Sequence, residues 1–210
     1  MCFLHEANLL FDTGEDADKL GHNLRALNIS PQAIKRVFLS HGHFDHTRGL
    51  TALRETQPEV LVLPGLLDPV QTRHLLECGF KLSDNHSQNN EIRPGLQRLT
   101  FSTGACIEQA LMIKGGHGWS IIFGCAHGGV DHWIEKASSY IDKPIDLVMG
   151  GFHLIGVQHR KIRNIVDQFQ KLGVQRVAPC HCTGLEALKY FQEAFGEKCL
   201  QSMVGDQVYI

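Results

Sequence analysis

The sequence predicts a layered α/β fold in which helices cover β-sheets. Short apolar runs typical of strands alternate with one-sided helical patterns along the whole 210-residue chain, and no repeat or low-complexity segment interrupts them. The clearest helical pattern lies at 160–172, where Ile162, Ile165, Val166 and Phe169 recur at the spacing of one helix face.

Other helical segments carry weaker signals. Leu20, Leu24 and Leu27 stand at helical spacing. Ser30 is a favoured cap and Pro31 a favoured first residue, so a short helix should start there. The full set of further predicted helices is 16–27, the short helix from residue 30, 50–55, 68–78, 130–140 and 185–195.

The predicted strands are short apolar runs that end in glycine, proline or small polar residues. They cover 8–11, 36–40, 60–63, 96–102, 110–113, 120–123, 145–149, 174–178 and 207–210. Residues 83–94 are polar and contain Asn89, Asn90 and Pro94, so we expect a loop there.

The amino-acid composition indicates which kinds of binding partner and cellular compartment to expect. A hydrophobic content of 43%, a charged content of 20% and a net charge of −2 without a basic block argue against binding to nucleic acid or to an anionic membrane. No apolar run reaches the roughly 20 residues of a membrane span, and no secretory signal is visible. Seven irregularly spaced cysteines do not indicate a disulfide framework, so we expect a reducing cytoplasm. The oligomeric state stays open.

Residues 41–46 are the most informative part of the chain. His41, His43, Asp45 and His46 fall within six positions, directly after the apolar run 37–39. A helix would spread these side chains around its circumference, whereas a sharp loop leaving a strand can direct all four at one point. Imidazole and carboxylate groups together suit zinc, iron or manganese, so the cluster predicts a metal site.

Four other segments combine an apolar strand, a turn of small residues and a side chain that can bind metal. Such groups at strand ends are typical of α/β enzymes, and four of them beside the cluster strengthen the prediction. The segments are Phe11-Asp12-Thr13-Gly14, Gly124-Cys125-Ala126-His127-Gly128, Gly150-Gly151-Phe152-His153-Leu154 and Pro179-Cys180-His181-Cys182-Thr183-Gly184.

These five motifs, in this order between residues 11 and 184, resemble the metallo-β-lactamase superfamily. The closer resemblance is to its branch of dihydropterin-ribofuranosyl-aminobenzene-phosphate synthase-like proteins. The resemblance implies a four-layer αββα sandwich with metals at one edge between the sheets, formed by a single domain over residues 1–210. Residues 1–6 resemble the branch's second strand, so we expect a domain without the branch's first strand.

The resemblance also implies two divalent metal ions, zinc before manganese or iron. The ligands of the first metal would be His41, His43 and His127, and those of the second Asp45, His46 and His181. Asp12 would stand behind the ligands and hydrogen-bond a ligand histidine or steady its loop. The aspartate that bridges the two metals in many members has no counterpart at the strand ends 124–125 and 150–151. Cys125 or His153 can substitute for it, or solvent alone can bridge the metals.

The implied function is a binuclear metal-dependent hydrolase that uses a metal-bridging hydroxide on a phosphate-bearing or ester-type small molecule. Asp45 would bind metal and orient the hydroxide or accept its proton. His153 is open to three roles: substrate contact, including proton donation to the leaving group, second-metal ligand, or structural cap. The alternatives are a pterin-pathway synthase-like transferase that uses the same metals and a non-catalytic metal-binding member. We expect Cys180 and Cys182 to act as small buried apolar residues.

Overall fold

The computed structural model describes residues 2–84, 90–104 and 106–210. The chain divides into two units. The first unit consists of Met1–His86 with Gly104–Gln109, and the second of Ser87–Thr103 with Ala110–Ile210. The assignment to a single domain stays a prediction.

The described part of the first unit contains a five-stranded sheet in the order β1-β2-β3-β4-β5. Strands β2 to β5 are parallel, and β1 is antiparallel to β2. The carboxyl ends of β2 to β5 therefore lie at one edge of the sheet, where Asp12 and the 41–46 segment begin. The strands are β1 (Cys2–Leu4), β2 (Leu9–Phe11), β3 (Arg36–Phe38), β4 (Glu59–Leu61) and β5 (Leu82–Ser83).

The helices of the first unit are short, and two of them have clear start signals. The Asp16 side chain accepts a hydrogen bond from the backbone N–H of Lys19, and Asp68 forms a capping box with Gln71. The helices are α1 (Ala17–Ala26), α2 (Phe44–Thr47) and α3 (Pro69–Glu77), with 3₁₀ turns at His5–Ala7, Pro31–Ala33 and Arg48–Leu53.

The second unit contains the strands of a six-stranded sheet in the order β11-β10-β9-β8-β7-β6. The neighbours β9, β10 and β11 are parallel. The strands are β6 (Glu91–Arg93), β7 (Leu96–Ser102), β8 (Ile107–Lys114), of which 110–114 belong to this unit, β9 (Trp119–Phe123), β10 (Ile145–Gly151) and β11 (Arg176–Cys180).

Three helices pack against this sheet. Helix α5 buries the apolar face that the sequence predicted, and Trp133, Phe152, Phe169 and Phe191 fill the core. The helices are α4 (Val130–Ser138), α5 (His159–Lys171) and α6 (Leu185–Phe195), with 3₁₀ turns at His181–Thr183 and Gly196–Lys198.

Two sheets and six α-helices in the described residues confirm the predicted α/β class. Three local predictions were wrong. Residues 207–210 form no strand, because an apolar run needs a partner ladder to become one. The supposed loop 83–94 contains β6, which pairs with β7, while its residues 85–89 lie outside the described part. The segment 48–53 is a 3₁₀ turn rather than the α-helix expected at 50–55.

Among the described residues, no helix has the length and apolar character needed to cross a membrane.

Candidate functional site

In the first unit, Asp12 and His46 form a buried pair. Nδ1 of His46 lies 2.6 Å from Oδ2 of Asp12, and both side chains are less than one-tenth exposed. Burial lowers the pKa of His46, but the hydrogen bond and charge of Asp12 outweigh it and raise this pKa overall. Burial raises the pKa of Asp12, whereas His46 and the backbone N–H of Ser40 together hold it below its usual value. The pair therefore favours a proton on Nδ1 of His46 and a charged carboxylate on Asp12.

Ser40 links the Asp12 carboxylate to a second histidine through hydrogen bonds. Its backbone N–H donates to Oδ1 of Asp12 over 2.7 Å, and its hydroxyl donates to Oδ2 over 2.7 Å. Since the Ser40 hydroxyl donates its proton to the hydrogen bond with Asp12, its oxygen accepts a hydrogen bond from the N–H at Nδ1 of His41, 2.9 Å away. This assignment of protons leaves the Nε2 lone pairs of His41 and His46 for a metal, the state that a neutral imidazole ligand requires. The donor set of the first unit thus fits a divalent cation.

His43 and Asp45 stand beside this pair of imidazoles. The ring centroid of His41 lies 4.6 Å from that of His43 and 4.1 Å from that of His46. Oδ2 of Asp45 is 3.5 Å from Nε2 of His46. The expectation of a loop throughout 41–46 needs a correction, because the single-turn helix α2 begins directly after His43 and carries Asp45 and His46. A four-residue helix does not spread these side chains around a full circumference.

The Asp12-Thr13 turn holds α2 in place. The backbone N–H and the hydroxyl of Thr13 each donate to the carbonyl of His46 over 2.9 Å. Gly49, which follows α2 in the chain, lies very close to Thr13. A Cβ at position 49 would be 2.1 Å from the Thr13 carbonyl oxygen. The glycine is therefore required for the close approach of these two segments.

Two residues of β8 that the sequence analysis missed support the same segment. The Gln109 side chain donates to the carbonyls of Leu39 (2.6 Å) and Leu61 (3.0 Å), and its backbone N–H donates to the Ser40 carbonyl. Oε1 of Glu108 lies 3.8 Å from Nδ1 of His41, and both side chains are buried. The signal that could have revealed them is two polar residues at the start of an otherwise apolar strand.

In the second unit, three ligand motifs leave one edge of the sheet. Strands β9, β10 and β11 are parallel, with Phe123 opposite Gly150 and Gly151 opposite Cys180. The carboxyl ends of the three strands are therefore aligned at the same edge of the sheet. The turns that follow carry Cys125 and His127, then His153, then His181.

The backbone of these turns is strained. Ala126, His153 and His181 have φ values of 53°, 51° and 52°, in the left-handed region that side chains other than glycine rarely adopt. Gly150 also has a positive φ, and a Cβ there would lie 2.1 Å from the Phe123 carbonyl oxygen. Strain of this kind collects at functional sites and is held by the surrounding structure.

His153 lies among groups that can exchange protons or bind metal. Its ring centroid is 4.4 Å from that of His127, and its side chain is exposed. The side chain of Cys125 lowers the pKa of the Cys182 thiol to about 5, against the effect of burial and with help from His153 and His181. Burial raises the pKa of the Cys180 thiol. Both thiols are half-buried, and their expected role as small apolar residues stays a prediction.

The structure places each candidate residue within its own unit. Asp12, His41 and His46 are buried, Asp45 is half-buried and His43 is exposed. In the second unit Cys125 is buried, His127 is half-buried, and His153 and His181 are exposed. The division of six ligands between two metals stays a prediction.

Comparison with known proteins defines the class. The model of the metallo-β-lactamase superfamily matches residues 4–139, more than half of the chain, so the chain belongs to this superfamily. It is also similar to 7,8-dihydropterin-6-methyl-4-(β-D-ribofuranosyl)-aminobenzene-5′-phosphate synthase of Methanocaldococcus jannaschii. The two are 29% identical over 236 aligned positions, which cover 90% of this chain and 80% of the relative.

Solved structures have the same fold. The crystal structure of a metal-dependent hydrolase of the β-lactamase superfamily has a TM-score of 0.82 and 28% identity, covering 97% of this chain and 89% of the other. The metallo-β-lactamase fold protein YhfI of Bacillus subtilis has a TM-score of 0.64 over 94% of this chain and 85% of its own, at 14% identity. The expected metallo-β-lactamase fold is confirmed.

Proposed function

We propose that this protein is a binuclear metal-dependent hydrolase that acts on a small molecule carrying a phosphate or ester group. The observation that carries the proposal is the hydrogen-bond network in which Asp12, directly and through Ser40, directs the protons of His46 and His41. Such outer hydrogen bonds orient metal-binding imidazoles and make them better ligands. Membership of a superfamily with a metal-dependent hydrolase-like fold gives further support.

The proposed ligands divide into two sets. The first set is His41, His43 and His127, three imidazoles that suit zinc. The second set is Asp45, His46 and His181, without an aspartate in the usual bridging position. When bound, the metals would supply Lewis-acid chemistry and water activation. Manganese and iron remain alternatives for both sets.

Two residues of the chain would handle protons. Asp45 would orient the attacking water and accept its proton through its half-buried carboxylate. His153, exposed two residues after the end of β10, would hold a proton for the leaving oxygen. Its strained backbone supports a functional role over that of a simple cap.

A transferase is the second candidate. The relative from Methanocaldococcus jannaschii is a synthase whose name includes a phosphate, so transfer of a phosphate-bearing group with the same metals is the alternative reaction. A non-catalytic metal-binding protein is the third. We also propose a cytoplasmic location, which is supported by the absence of disulfides among the seven cysteines, all of which lie in the described residues.

The test is a substrate screen on protein reconstituted with zinc or manganese. We expect hydrolysis of at least one phosphodiester, phosphomonoester or lactone, with activity lost on chelation and restored by metal. Metal binding without hydrolysis, but with formation of a coupled product from a pterin precursor and a phosphorylated ribosyl compound, would select the transferase. Metal binding without either reaction would leave the non-catalytic alternative.

A further inference from the structure

A buried carboxylate outside the predicted ligand set lies beside His41. The Glu108 side chain is 5% exposed, and its Oε1 is 3.8 Å from Nδ1 of a His41 ring that is fully buried. Glu108 occupies the second position of β8, before Gln109 and the apolar run 110–113. In a buried setting a carboxylate interacts strongly with charge that forms beside it, because its surroundings screen charge less than bulk water does.

The position of Glu108 is fixed by its neighbour. The side chain and backbone N–H of Gln109 bind the carbonyls of Leu39, Ser40 and Leu61, which anchors the start of β8 to the ends of β3 and β4. These bonds hold the backbone beside Glu108 in place, and the Glu108 side chain lies at the His41 ring. Its negative charge is also felt two residues away, where it adds to burial in raising the pKa of Cys106.

The distance defines what Glu108 can do. At 3.8 Å the contact with Nδ1 is too long for a hydrogen bond, and Nδ1 already lies 2.9 Å from the Ser40 hydroxyl. At this distance Glu108 acts on the His41 ring through its charge. A carboxylate in a buried setting stabilises positive charge that spreads onto the imidazole when Nε2 binds a cation.

We propose that Glu108 is a positioning residue that tightens metal binding at His41 through its charge. Asp12 and Glu108 then act on His41 by different routes: Asp12 sets its proton through Ser40, and Glu108 compensates the charge of the bound cation. The proposal rests on the proposed metal site and adds a residue that neither the ligand motifs nor the superfamily assignment contains.

The test compares Glu108→Gln, Glu108→Asp and the wild type by zinc affinity, measured in competition with a chromophoric chelator. Thermal unfolding with and without zinc is measured on the same samples. Glu59→Gln is the matched control, since it removes the charge of a part-exposed glutamate of the same unit that pairs with Arg36. We expect Glu108→Gln to weaken zinc binding by about 10–100-fold, Glu108→Asp to weaken it less, and Glu59→Gln to leave it unchanged.

The melting curves separate charge compensation from a merely structural role. If Glu108 acts through the metal, Glu108→Gln keeps the metal-free Tm and loses much of the zinc-induced rise in Tm. A lower metal-free Tm with an unchanged zinc-induced rise would overturn the proposal. Equal losses of affinity in Glu108→Asp and Glu108→Gln would also overturn it, because shape rather than charge would then decide.

The same measurements distinguish failure of the proposed metal site from failure of the proposed role of Glu108. A wild-type protein that binds no zinc or other divalent metal would overturn both the proposed metal site and the role of Glu108. A wild type that binds zinc, together with a Glu108→Gln variant of the same affinity, would overturn the role of Glu108 alone.

Discussion

Oδ2 of Asp12 lies 2.6 Å from Nδ1 of His46 and 2.7 Å from the hydroxyl of Ser40. One buried carboxylate directly after β2 thus determines the proton positions on two histidines, His41 in the segment after β3 and His46 in α2. An imidazole binds metal only through a nitrogen without a proton, so the proton positions that Asp12 sets decide which ring nitrogen can bind metal.

The first prediction follows from this relationship. Asp12→Asn keeps the shape but can direct an amide N–H at His46, which favours the wrong tautomer. We expect metal affinity to fall by about 10–100-fold, measured by chelator competition. Asp18→Asn, an exposed aspartate on α1, is the control and should bind metal like the wild type. Equal affinities for both variants would show that Asp12 does not act on the ligands.

The second prediction concerns His153. His153→Ala should retain the metal ions and lower turnover by about 10²–10⁴-fold, if the histidine donates a proton to the leaving group. The change would appear in kcat with a substrate that has a poor leaving group, and less with an activated one. His117→Ala removes an exposed histidine outside the motifs and should have no effect. Unchanged turnover would refute the role, and loss of one metal would reassign His153 as a ligand.

The third prediction tests the turn that holds His153. In Gly150→Ala, the new Cβ would meet the Phe123 carbonyl oxygen at 2.1 Å, at a φ of +119°. We expect a loss of about 3 kcal/mol or more in the free energy of unfolding, measured by urea denaturation. Gly116→Ala is the matched control, since no atom lies within 4 Å of a Cβ there. A Gly150→Ala variant as stable as Gly116→Ala would show that the turn is not constrained in this way.

The fourth prediction is a pH dependence away from the ligands. Hydrogen bonds from Lys114 and Trp119 lower the pKa of Asp142 from 3.8 to about 2. A lowered pKa in the folded state adds stability above the unfolded pKa, and this stability disappears as the pH falls through the folded pKa. The Tm difference between the wild type and Asp142→Asn should therefore be constant above about pH 5 and shrink between about pH 4 and 2. Asp167→Asn, an exposed aspartate on α5, should show no such change.

The motif residues could be located from the sequence because each follows an apolar strand. Parallel strands bring their carboxyl ends to one edge, and this alone explains why Asp12 lies near the 41–46 segment and why the turns of His127, His153 and His181 are level. The α/β class follows from the same alternation of strands and helices.

Other features of the site depend on contacts between residues far apart in the chain, which the hydrophobic periodicity of the sequence does not predict. Gln109 binds carbonyls 70 and 48 positions earlier in the chain, so its role and that of Glu108 emerge only from the folded sheet. Helix α2 has four residues, too few for a helical pattern. The lowered pKa of Cys182 needs Cys125, 57 positions away, which no local pattern indicates.

The most direct test of the account is the metal content of the purified chain after reconstitution and stepwise dialysis against a chelator. We predict about two divalent ions per chain, one lost well before the other because its ligand set lacks a bridging aspartate. His43→Ala should lose the tightly held ion, whereas His22→Ala, an exposed histidine of α1, should keep both. A wild type that retains no metal, or a His43→Ala variant with full metal content and activity, would contradict the central claim.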